Sequence, residues 1–151
     1  MQWVKWAVLG LLSVTVVLAI ALVLPAEGQS GQGFKVIANR NLNLTTMSKA
    51  DLSRVFLKKL TRHNGNNLEP ADQDPGSTVR EVFSRDVHSR SVSAIKSHWQ
   101  RQIFSGRGTP PPELSNDAAV VSHVNGDPGG IGYVSVGTAP GPNAVEVTVT
   151  D

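Results

Sequence analysis

The sequence predicts an α/β domain, a mixed sheet flanked by helices, behind an apolar leader. Three observations carry this. Period-2 stretches such as "FKVIAN" (34–39) and "AVEVTVT" (144–150) alternate along the chain with stretches of helical spacing. Turn signals separate them, including Asn64-Gly65 and "NGDPGG" (125–130). The chain has 151 residues, which suits one domain and hardly two.

The leader comes first. Lys5 precedes an uncharged apolar run from Ala7 to Leu24, and Ala26-Glu27-Gly28 closes it like a signal-peptidase site. The run also just reaches the length of a bilayer span. Residues 1–28 therefore read as a signal peptide cleaved after Gly28, or as an uncleaved N-terminal membrane anchor. Both export residues 29–151 to the periplasm or beyond, and membrane contact is expected only through an uncleaved leader.

Composition narrows the function. With no cysteine, neither disulfides nor a thiol nucleophile is available. Removing the leader takes away Lys5 and Glu27, so the 14 basic and 12 acidic residues each fall by one. That mild, dispersed positive charge argues against a nucleic-acid partner. His63, His88, His98 and His123 lie too far apart for a short-range metal pair, so no metal site and no cofactor are expected. No nucleophile elbow or Walker loop is present either, and the chain does not read as an enzyme.

Element by element, "FKVIAN" is the first strand and "NRNLNLTTM" (39–47) a polar loop. "SKADLSRVFLKK" is a short helix capped by Ser48, with Leu52, Val55 and Phe56 on its core face. A turn at Asn64-Gly65 leads to a short strand near Leu68–Ala71. A helix from Thr78 to about His88 is expected to bury Val79, Val82 and Phe83. The next, within 91–106, should bury Val92, Ile95, Trp99 and Ile103, spaced by three and four. "RGTPPPELS" reads as a stiff extended linker. A helix from Ser115 or Asn116 through Val124, a strand in "GGIGYVSV", and the final strand complete the domain.

"DQDPGSTVR" (72–80) holds the one suggestive constellation. A helix N-terminus leaves backbone N–H groups unpaired and partially positive, so an anion can settle there. Ser77 can equally cap the helix with its own hydroxyl, and local chemistry alone favours the cap. Arg80 could fold back beside Ser77 and Thr78 as a bidentate anion contact, or pair with Asp74 or Ser84. Asp72 and Asp74 weigh against an anion.

Four blocks then change the weighting: "MSKADLSRVFLKKLTR", "DQDPGSTVREVF", "WQRQIFSGRGTPPPEL" and "VNGDPGGIGYVSV". In this order they resemble the short exported relatives of the phosphate-binding component of bacterial phosphate ABC transporters, within the type 2 periplasmic-binding-protein superfamily. The resemblance implies a single lobe of that fold over residues 29–151 and binding of inorganic phosphate or a related oxyanion. By position it implies Gly76 and Ser77 as the family's anion-contacting Gly-Ser, with Thr78 following and Arg80 nearby as candidate ligands. Departures are visible: Pro75 replaces an aspartate, Thr78 a glycine, Val79 a hydroxyl residue, and Gln73 stands where an arginine is usual. No counterpart of the family's first glycine-rich anion loop is found. The alternative is an envelope interaction module that kept the fold, lost the ligand and works through another envelope protein.

Overall fold

The computed structural model describes residues 33–151. The expected leader, with its cleavage site, lies outside the described residues. Strand β1 (Phe34–Asn39) leads through a 3₁₀ turn at Arg40–Leu42 to β2 (Thr46–Ser48) and α1 (Lys49–Phe56). A hairpin of β3 (Arg62–His63) and β4 (Asn66–Asn67) turns at Asn64-Gly65, both with positive φ, as a tight hairpin turn requires. β5 (Glu69–Pro70), β6 (Asp72–Gln73), α2 (Thr78–His88) and α3 (Val92–Phe104) follow. β7 (Glu113–Leu114), α4 (Asp117–Gly126), β8 (Gly130–Ser135) and β9 (Ala144–Thr150) close the chain.

The main sheet has the order β2-β9-β1-β8-β5. β1 runs antiparallel to both β8 and β9, whereas β2 and β5 pair in parallel with their neighbours. As the central strand, β1 is covered on both faces, so Val36, Ile37, Ala38 and Asn39 are all buried. Successive side chains point to opposite faces of a strand. Val36 and Ala38 accordingly join Leu52, Val55, Phe56 and Phe83 under α1 and α2, and Ile37 joins Val120, Val124 and Val134 under α4. α4 comes close because β8 offers glycine: a Cβ on Gly132 would sit 2.5 Å from Val120 Cγ1.

Several expectations need correction. The polar loop 39–47 instead contains the 3₁₀ turn and β2, and it buries Leu42, Leu44 and Met47. Asn41, Asn43, Thr45 and Thr46 face water and gave the stretch its loop-like composition. The 107–115 linker ends in β7, which pairs in parallel with β6 and gives the proline run a fixed exit. In α2, Phe83 is buried as expected, but Val79 and Val82 are only half-buried; Arg80, Ser84 and Val87 complete the inner stripe. In α3, Ile95 and Trp99 are buried and Val92 half-buried, while Ile103 is 50% exposed. The helix contacts the body along α2, and its last turn runs past that support.

Candidate functional site

The segment between β6 and α2 brings the suggestive residues together. Asp74 shapes it: its Oδ1 accepts the Gly76 N–H at 2.8 Å, and its carbonyl accepts the Ser77 N–H at 2.9 Å. Ser77 caps α2, accepting the Arg80 N–H at 3.3 Å and donating its own hydroxyl to Gln73 Oε1 at 2.9 Å. That leaves the amides of Thr78 and Val79 as the helix's unpaired donors among the described residues.

Arg80 points the other way. Its side chain is 3% exposed and lies beneath the loop. Nη1 donates to the Gln73 carbonyl at 2.6 Å and meets Asp72 Oδ1 at 2.8 Å, with Glu113 Oε1 at 3.7 Å. So the guanidinium does not fold over the helix N-terminus, and its partner is Asp72, not Asp74 or Ser84. Of the four residues singled out, Gly76 and Ser77 face a common opening and Thr78 is exposed beside them. Arg80 holds them from behind.

Two further residues close this inner network. Tyr133 donates its hydroxyl to Asp72 Oδ1 and accepts the Gln73 N–H, while its ring stacks on Phe83 at 3.8 Å. Gln73 Nε2 reaches Asp117 Oδ1 at 2.7 Å and the Tyr133 carbonyl at 3.0 Å. Gln73 is thereby fully engaged inside the domain. Sequence reasoning passed over Asp72, Tyr133 and Asp117 as members of this cluster. One signal was available: Arg80, Phe83, Ser84 and Val87 share the spacing of a buried helical stripe.

The network shifts its members. Burial pushes the Asp72 carboxyl up to about 6, against the pull of Arg80 and the hydrogen bonds from Tyr133 and Gln73. Burial, then the Asp72 charge, pushes the Tyr133 hydroxyl well above its ordinary value, so it remains a donor. Burial acts to raise Asp117, but hydrogen bonds from Thr138, Ser135 and Gln73 together hold it below its usual value.

Outside lies an open groove of about 480 Å³ along the exposed side of α2. Ser77, Glu81, Arg85 and Ser89 line it at successive turns, and Arg90 and Ser91 close its far end. Arg85 is paired with Glu81, which tempers the charge along the middle of the groove. Among the described residues, no group of three His, Asp or Glu side chains comes together to hold a metal.

No protein-family model matches the sequence, and no curated protein matches it. Solved structures do. An ABC-type phosphate transport receptor from Vibrio cholerae aligns with a TM-score of 0.60 and 14% identity. The alignment covers 78% of this chain and 46% of the receptor. The fold is periplasmic-binding-protein-like. A putative phosphate ABC transporter substrate-binding protein with bound phosphate, from Clostridium perfringens, gives 0.59 at 16% identity, over 78% of this chain and 44% of that one. The chain thus spans less than half the length of either, and the mixed sheet flanked by helices agrees with a single-lobe reading. One neighbour is described as a transport receptor and the other as a putative substrate-binding protein. No helix among the described residues is long and apolar enough to cross a membrane.

Proposed function

We propose that this chain is an exported solute-binding-like protein that holds phosphate or a related oxyanion at the amino end of α2, linked to phosphate ABC transport. The observation that carries the reading is the open end of that helix. Unpaired Thr78 and Val79 amides sit beside Gly76 and Ser77 in a periplasmic-binding-protein-like fold, and one similar structure is described with bound phosphate. Thr78 adds a hydroxyl. Arg80 serves as a positioning residue, holding the Gln73 carbonyl and so the loop that presents the amides.

Binding from one side excludes little water, and Asp74 and Glu81 oppose a negative ligand. The expected affinity is therefore near ~1 mM. A thermal-shift panel of phosphate, sulfate and neutral solutes at constant ionic strength tests it. At ~10 mM phosphate the gain is about 1.4 kcal/mol, a few degrees, with none from neutral solutes.

A second reading, an envelope interaction module without ligand, is favoured by the inward turn of Arg80 and the full engagement of Gln73. Flat thermal shifts, together with a partner retained through purification of the chain from its envelope, would select it.

A further inference from the structure

Charge is unevenly placed along this chain. No acidic residue occurs between Asp51 and Glu69, or between Asp86 and Glu113. Those two stretches hold Arg54, Lys58, Lys59, Arg62, Arg90, Lys96, Arg101 and Arg107. Apart from Arg54, which pairs with Asp51, none has an acidic partner among the described residues.

The second stretch forms α3, which packs along α2. His98 is held below its ordinary value by burial first, then by Lys59 of one stretch and by Arg90 and Arg101 of the other. At 100° per residue, Phe104 lies opposite Ile95, the residue α3 buries against the body. Phe104 is 90% exposed and its neighbour Ile103 50%. Lys96, Gln100 and Arg101 are exposed on the same helix, and Ser105-Gly106-Arg107 continue past the tip.

We propose that this acid-free face of α3, with Phe104 at its tip, docks on an anionic lipid surface. A bilayer interface supplies the two things the face lacks, a field of negative charge for several unpaired cations and an apolar layer for one projecting ring. A protein groove for Phe104 alone would leave Lys96, Arg101 and Arg107, exposed on α3 and just past its tip, without partners. The proposal does not depend on the oxyanion reading, because its residues are not those of the α2 amino end.

The test uses the full chain in vesicles. The apolar leader can insert by itself, so the readout must be local. The chain has no cysteine, and Ser105→Cys gives a single attachment point for an environment-sensitive fluorophore. Ser122→Cys on α4, across the sheet, serves as control. Emission at position 105 is expected to shift blue in phosphatidylcholine vesicles containing phosphatidylglycerol and not in phosphatidylcholine alone, with position 122 unmoved. Lys96→Gln with Arg101→Gln should weaken docking roughly fivefold per cation removed. Equal emission in both vesicle types, or equal shifts at positions 105 and 122, would overturn the proposal. So would a shift obtained with poly-glutamate and not with vesicles, which would point to an acidic protein partner.

Discussion

Arg80 Nη1 lies 2.8 Å from Asp72 Oδ1, with both side chains almost wholly out of solvent. This pair ties α2 to β6 under the loop that opens the candidate site. A buried ion pair is weak evidence of net stability, but breaking one is costly because it strands a charge. Arg80→Ala is expected to destabilise the domain by about 3–5 kcal/mol. Asp72→Asn together with Arg80→Met should be much milder, since neither charge remains. Urea denaturation of the set checks this, and similar losses in both would contradict it.

Ser77 has two jobs in the same loop, accepting from the Arg80 N–H and donating to Gln73 Oε1. Removing an N-cap oxygen costs about 0.5–2 kcal/mol. Ser77→Ala should fall toward the upper end, because Gln73 also loses a buried donor. Ser77→Thr should recover much of it. Thermal unfolding of the two variants distinguishes them.

His88 gives the domain a pH dependence. Burial first, then Arg80, Arg90 and His98, lowers it from 6.5 to about 4, and its Nδ1 is 2.8 Å from Ser53 Oγ. The unfolded chain takes up this proton near pH 6.5, the folded domain only near 4. Stability from this group is thus complete above 6.5 and falls as the pH drops toward 4, by about 3 kcal/mol in all. Asp72, raised to about 6, acts oppositely: its folded form takes up a proton first, so it adds stability as pH falls from 6 toward 3.8. His88→Gln isolates the histidine. Its stability should fall less than the parent's between pH 7 and 4, and parallel curves would contradict the assignment.

On α3, Trp99→Ala should cost about 3–5 kcal/mol and Gln100→Ala very little. Ile103→Ala now belongs with Gln100, since half of Ile103 faces solvent. Equal losses for Trp99 and Ile103 in urea would show that the helix end is packed after all.

These cases show what was readable beforehand. Alternation in 34–39 and 144–150 and the capping serines at 48 and 77 are local signals, and the elements they mark appear where expected. The sheet order was not legible, because pairing β1 between β8 and β9 joins residues far apart in sequence. Arg80 was misread for a physical reason. A charged residue on a core stripe looks like a surface residue until Asp72 of the preceding strand and Tyr133 of the distant β8 are placed around it. Ile103 failed differently, since its spacing is right but the body ends before the helix does. The turn into α2 was visible as Gly76-Ser77-Thr78, whereas the engagement of Gln73 by Asp117 was not.

The most direct test of the oxyanion reading is a phosphate titration followed by amide NMR at constant ionic strength. Saturable shifts are expected at Gly76, Ser77, Thr78 and Val79, largest at the unpaired amides of Thr78 and Val79, with a Kd near ~1 mM, about −4 kcal/mol. Amides at Lys96 and Gln100 on α3 should stay still. If residues 76–79 do not move at tens of millimolar phosphate, the amino end of α2 holds no oxyanion and Ser77 is only its cap.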